Sequence, residues 1–287
     1  MTRPFIVSAS VADPYFALPA KAAPVIAAAE AEGLDLLVLG RAGACPFDAQ
    51  VLAAWAAPLT RRVGIVATVP ASNAHPFHVA RALSAVDFLS DGLTGWSVIA
   101  EGAEAGVAED MVRAARALWD GWGSDCLIID KASGNYLHSD MVKQPNYEGP
   151  FFKVAGPVNA MRPPQGQPVL VLDGADAIGL DDADVVLVDA PGTDAGGARR
   201  LLKIAGDVDV AALEQAFAAG EIDGVHFVLE DSADALPAAI ETIGALFANR
   251  PGDAPAASGT LRERLGLALP ATASTQTDGA RVPEYIA

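Results

Sequence analysis

Short apolar runs of strand length alternate along this chain with longer stretches in which apolar positions recur every three or four residues. Apolar or alternating segments at 5–10 (FIVSAS), 34–39 (LDLLVL), 62–69 (RVGIVATV) and 95–100 (GWSVIA) predict four strands. Each is followed by a predicted helix, at 20–32, 47–57, 76–89 and 105–119. Gly33 stops the first helix, and Pro76 falls in the first turn of the third. The rhythm breaks over about 121–167, a stretch rich in proline and glycine that reads as an excursion with a short hairpin rather than a linker. Alternation returns at 168–172 (PVLVL), 184–189 (DVVLVD), 201–205 (LLKIA) and 224–229 (GVHFVL), with helices predicted after the last two at 210–219 and 234–249. The tail from 250 is rich in Pro, Ala, Ser and Thr and holds one helical island at 261–267.

About eight strands, most followed by a helix, predict a parallel sheet of the α/β class, and this number of units favours a closed (β/α)8 TIM barrel. A doubly wound sheet would place a glycine-rich phosphate turn after its first strand, but the residues there read VADPYFALP. The expected organisation is one barrel over 1–249, with an irregular insertion at about 121–167 after the fourth βα unit. A C-terminal extension follows over 250–287.

Charge then removes whole classes of partner. The chain carries 36 acidic and 19 basic side chains, so its formal charge is 19 − 36 = −17. Nucleic-acid backbones and anionic membranes both require clustered cations, so neither is an expected partner. A hydrophobic content of 52% excludes wholesale disorder. No apolar run reaches the roughly 18 residues of a membrane span, and the first residues, MTRPFIVSAS, lack the apolar segment and cleavage site of a secretory signal. The expected compartment is the cytoplasm. Cys45 and Cys126 are too few for a disulfide framework or a four-cysteine zinc site and read as small buried hydrophobes.

Residue patterns alone offer little chemistry. His75 and His78 stand three apart without a third ligand, so His75 reads as a cap or packing residue and no metal is expected. The acidic residues Asp173, Asp176, Asp181, Asp182, Asp184 and Asp189 read as a solvated rim. Trp119 and Trp122, spaced for one helical face, read as core. No catalytic residue can be assigned.

The stretch 75–98, HPFHVARALSAVDFLSDGLTGWSV, resembles the signature of the bacterial luciferase-like monooxygenases, in the branch that contains nitrilotriacetate monooxygenase. LWDGW at 118–122, FFKVAGPVNAMRPPQGQPVL at 151–170 and TLRERLGL at 260–267 support the resemblance, which extends over most of the chain. It implies a TIM-barrel monooxygenase that uses reduced FMN, supplied by a separate flavin reductase, and O2 on a small organic substrate. It also implies a homodimer through helices near the second and third strands, placing 48–57 and Trp55 in the interface. By position, the flavin contacts would be Ser72 and Ser97 at the ring, with Gly174, Ala175 and Asp176 at the phosphate.

Several of these positions depart from the family pattern. The fourth strand usually reads close to GWN with a following Thr-Ser pair, whereas this chain has Gly95-Trp96-Ser97 and then Ala100-Glu101. An Ala-Asp end to the second strand is Leu39-Gly40 here. A QAG with two following serines is Leu172-Asp173-Gly174-Ala175-Asp176. At an effective dielectric of about 20, a carboxylate about 4 Å from a phosphate charge is repelled by about 4 kcal/mol. The expectation is therefore a degraded flavin site. The alternative is a non-catalytic barrel that has lost FMN and acts by binding or by pairing with a related chain.

Overall fold

The computed structural model describes residues 3–124, 126–176 and 178–270. Twelve strands run in chain order: β1 (Ile6–Val11), β2 (Leu36–Leu39), β3 (Gly64–Pro70), β4 (Thr94–Ile99), β5 (Leu127–Asp130), β6 (Asn135–Leu137), β7 (Tyr147–Glu148), β8 (Lys153–Val154), β9 (Val169–Asp173), β10 (Val185–Val188), β11 (Arg199–Ile204) and β12 (Gly224–Leu229). The α-helices are α1 (Pro19–Ala31), α2 (Ala49–Ala56), α3 (Pro76–Leu89), α4 (Val107–Asp120), α5 (Val210–Ala218), α6 (Leu236–Leu246) and α7 (Leu261–Arg264). Eight strands close into a parallel barrel in the order β1-β12-β11-β10-β9-β4-β3-β2. The TIM-barrel expectation holds.

Alternation explains the layering. Ile6, Leu36, Val38, Val66, Val169, Val171, Val185, Leu187 and Leu201 turn inward and form one buried cluster with Leu261 and Leu265. The intervening residues face the helices; Trp96 meets Trp119 of α4 edge-to-face at 5.6 Å. Trp119 and Trp122 are core residues, as expected, and their indole N–H groups donate to the carbonyls of Ala80 and Val158. The helical island of the tail is part of the barrel floor, since Leu261 lies where a Cβ on Gly64 would come within 2.7 Å of it. Among the described residues, no helix is long and apolar enough to cross a membrane.

Among its described residues, the connection after β9 lacks a helix; the Gly174 turn leads only to a 3-10 turn at Leu180–Asp182. The link from β9 to β10 is shorter than the dozen or so residues that a helical crossover needs. The acidic residues nearby are also less solvated than the pattern suggests. Asp182 pairs with Arg116, Asp184 with Arg262, and both Asp173 and Asp189 with Lys203.

The insertion lies along the side of the barrel, against α4. Lys143 N–H donates to the Gly121 carbonyl at 2.7 Å, and Gly123 N–H donates to that of Met141 at 2.9 Å. Near the start of α4, the buried Asp110 carboxylate accepts the Tyr147 hydroxyl and the N–H groups of Phe151 and Phe152. A Cβ at Gly149 would stand 1.9 Å from Asp110 Oδ1. Gly149→Ala is therefore expected to cost about 1–3 kcal/mol of stability through overpacking. A denaturation midpoint equal to wild type would contradict this docking.

Candidate active site at the barrel mouth

In closed parallel barrels, function concentrates where the strands end. Here the C-terminal mouth is polar and nearly shut. Ser10, Val38, Gly40, Arg41, Ala42, Ser97, Ile99, Asp173, Asp176, Leu187, His226 and Val228 enclose a cavity of only about 40 Å³.

Two clasps close it. After β2, residues 41–44 form a tight turn in which Arg41 and Ala44 exchange backbone hydrogen bonds. On one side Arg41 reaches Glu230 beyond β12 at 3.3 Å; on the other, Gly43 N–H donates to Glu101 beyond β4 at 2.7 Å. Gly43 has φ +73°, which favours glycine at the tip of this strap. Across the other half of the mouth, Lys203 of β11 donates to Asp173 of β9 at 2.8 Å and lies 2.9 Å from Asp189 beyond β10. Burial opposes the Lys203 charge, but the bonds to the two aspartates outweigh it and raise its pKa.

Beneath the clasps sits His226. Ser8 Oγ lies 3.0 Å from the Val225 carbonyl oxygen and 2.9 Å from His226 Nδ1. The hydroxyl has one proton and the carbonyl only accepts, so Ser8 donates to Val225 and Nδ1–H donates to Ser8. Nε2 is left with the lone pair. Burial pushes the imidazole pKa down to about 4; Lys203 and Arg41 lower it further, while Asp173 opposes them. His226 is thus neutral near pH 7. Two buried polar atoms around the mouth, Ser10 Oγ and one guanidinium nitrogen of Arg41, have no hydrogen-bond partner among the described residues. With Lys203 removed, the Asp173 charge dominates, so Lys203→Met is expected to raise the His226 pKa. Imidazole NMR titration checks this, and an unchanged or lower value would contradict the arrangement.

The residues expected to hold a cofactor do not all converge. Ser97 and Asp176 line the mouth cavity together. Ser72 lies instead in an open recess of about 320 Å³ on the rim, with Ala74, Gly102, Phe151 and Phe152. Gly174 and Ala175 form the exposed turn beyond β9. Its N–H groups are already engaged: Gly174 with the Leu187 carbonyl, Ala175 with the Asp173 carboxylate and Asp176 with the Asp173 carbonyl. Burial, then the Asp173 charge, raises the Asp176 pKa. Lys203 pairs with Asp173, so the turn is less anionic than its sequence implies. His75 is the N-cap of α3, its Nδ1 accepting from Phe77 N–H, and it packs edge-on against Phe152. Among the described residues, no three His, Cys, Asp or Glu side chains gather as a metal site. Composition did not single out His226, Ser10, Arg41 or Lys203. His226 and Lys203 could have been found as polar residues within the apolar runs GVHFVL and LLKIA.

As closed, the mouth does not fit FMN, because ligand pockets typically enclose about 300–1,000 Å³. The hydroxyls and the unpartnered Arg41 nitrogen suit the polar edge of a ring, but only once the strap has moved.

The sequence profile of the luciferase-like monooxygenases matches residues 9–258, almost the whole barrel. This chain belongs to that family. Within it, the chain is 35% identical over 262 residues to one of the subunits of pristinamycin IIA synthase from Streptomyces pristinaespiralis, covering 85% of this chain and 88% of that one. It is 32% identical over 136 residues to nitrilotriacetate monooxygenase component A of Aminobacter aminovorans, covering 42% of this chain and only 30% of the longer relative. The solved structure of the long-chain alkane monooxygenase LadA superposes with a TM-score of 0.71 at 15% identity, covering 93% of this chain and 96% of that one. That likeness shows the shared fold alone.

Proposed function

We propose that this luciferase-like barrel is a subunit of a flavin-dependent monooxygenase that oxidises a small organic substrate with FMNH2 and O2. The reduced flavin would come from a separate reductase, and the compartment would be the cytoplasm. The observation that carries the proposal is the near full-length likeness to a synthase subunit of the same family. When bound, the flavin supplies the activation of oxygen. Of this chain's residues, Ser97 would orient it at the ring edge, with Ser72 reached only across the rim; Gly174, Ala175 and Asp176 would face its phosphate end only if their N–H groups left their present acceptors. Access requires the 41–44 strap to swing aside. Opening would break the exposed Arg41–Glu230 pair, a kind that contributes about 0–1 kcal/mol, and the Gly43 N–H bond to Glu101.

A second reading, which the family membership does not favour, starts from the surface of α2 and α3. On it the barrel holds no flavin and works by pairing with another barrel. Val51 of α2 is 68% exposed and Leu89 of α3 is 55% exposed, with Phe88 and Leu59 also exposed, apolar side chains that a partner barrel could cover. Trp55, expected in a dimer interface, is half-buried against the core. Either a second copy or a related chain would cover this face.

Titration of the pure protein with FMN and anaerobic FMNH2 separates the two readings. Binding at about micromolar Kd supports the flavin-dependent enzyme; no binding at about 1 mM leaves the pairing barrel.

A further inference from the structure

A groove of about 810 Å³ lies away from the mouth, on the side of the barrel between the C-terminal half of α4 and the insertion. In a chain of net charge −17 it gathers four cations, Arg113, Arg116, Lys143 and Arg162. We propose that this groove binds a small organic anion, a carboxylate or phosphate ester with an apolar body.

The partners of each charged group lead to this assignment. Arg116 is committed to Asp182, bonding both its carboxylate at 2.8 Å and its carbonyl. Arg162 donates to Asp120 and to the carbonyls of Trp119 and Trp122. Asp120 also accepts from Gln167, so its charge is spent within the wall. Two cations remain. Arg113 finds a carboxylate only at 3.9 Å, and that carboxylate is the Asp182 already held by Arg116. Lys143 forms no ion pair with the described residues. Among the described residues of the lining, Asp140 is the one acidic side chain outside these pairs.

The floor supplies the other half of the recognition. Trp122 has spent its N–H on Val158, so it offers only carbon to the groove. Met141 and Pro145 line it as well, with bare backbone at Gly121 and Gly123. A Cβ at Gly121 would stand 2.7 Å from the Lys143 carbonyl oxygen, and one at Gly123 would stand 2.9 Å from Met141 Cε. Those close approaches hold the insertion against α4 and keep the floor flat. On this proposal the apolar body lies against Met141 and Pro145, beside the mostly buried Trp122, with its anionic group toward Arg113 and Lys143. Arginine suits the oxygens of either acid group, and charge-assisted hydrogen bonds of this kind are the strong ones. The volume lies within the usual range of small-molecule sites, about 300–1,000 Å³.

The test is calorimetric titration of the full chain with phenylacetate and phenyl phosphate. Inorganic phosphate serves as the body-free control and benzyl alcohol as the charge-free control. At least one of the two organic anions is expected to bind with Kd below about 1 mM, with both controls weaker by about tenfold or more. The Arg113→Gln/Lys143→Gln double variant is expected to lose about tenfold in affinity, while Lys203→Met retains it. Arg113 is 58% exposed, so its replacement leaves the fold intact. Tighter binding of phenylacetate assigns a carboxylic acid, and tighter binding of phenyl phosphate a phosphate ester. No binding of either at about 10 mM, equal affinity in the double variant, or loss of binding in Lys203→Met would each overturn the proposal.

Discussion

Arg262→Ala is expected to destabilise the barrel by about 3–5 kcal/mol, the cost of leaving a buried charge without its partner. Arg262 is 3% exposed at the N-terminal face. Its guanidinium meets both Asp184 oxygens at 2.7 Å and donates to the carbonyls of Gln167 and Ala268. Asp184 in turn accepts the Leu170 N–H at the head of β9. The Arg262 N–H donates to Gln165, which also donates to Asp87 and to the Thr94 carbonyl. One substitution therefore unpairs Asp184 and loosens the plug formed by Leu261 and Leu265. At about 2–4 °C per kcal/mol for a domain of this size, the melting midpoint falls by roughly 10 °C. Arg262→Lys keeps the charge but not the fork, so it should recover only part of the loss. A midpoint within about 2 °C of wild type for Arg262→Ala would refute this role.

The second large effect depends on pH. His226 has its pKa pushed down from 6.5 to about 4, so the folded protein resists a proton that the unfolded chain accepts. Its contribution is fully present above pH 6.5 and is lost as pH falls through about 4. The displacement is worth about 3 kcal/mol. Asp35 and Asp87 act in the opposite direction. Burial raises both to about 6, so their contribution is present below pH 3.8 and is lost as pH rises through about 6. These opposed terms make the wild-type profile alone ambiguous, so the informative quantity is the difference between wild type and His226→Gln. Between pH 7 and pH 4 that difference should shift by about 3 kcal/mol in favour of the variant. A difference independent of pH would mean that His226 is not buried and neutral.

How much of this could be read from the sequence follows from where each signal lies. Period-2 and period-3.6 patterns placed every barrel strand and every helix of the βα units, because burial on one face dictates them directly. Residues 224–229 and 76–89 match β12 and α3 at both ends. The motifs that carry the family resemblance are tied mainly to the floor. In RPPQGQPV, Gln165 and Gln167 serve Asp87, Arg262 and Asp120, and in TLRERLGL, Leu261, Arg262 and Leu265 close the barrel. Residues at the N-terminal face of a barrel report stability rather than chemistry. The resemblance therefore identified the fold more firmly than the site.

The mouth was harder to read because its contacts join distant parts of the chain. Asp173 reads as a bare carboxylate at the phosphate turn until the fold brings Lys203 to it. Glu101 reads as a lost hydroxyl position, yet it anchors the strap. Arg41 and Glu230 meet across 189 residues of sequence, beyond the reach of any local pattern. The insertion gave no periodic signal, and its place beside α4 is set by single contacts at Asp110, Gly121 and Gly123.

Amide hydrogen exchange under anaerobic FMNH2 tests the central claim, that the polar mouth is where this barrel meets its cofactor. Bound FMNH2 is expected to change exchange at 40–45, 96–102 and 173–176, the strap and the ends of β4 and β9. Exchange unchanged throughout, or altered only along the groove beside α4, would contradict it.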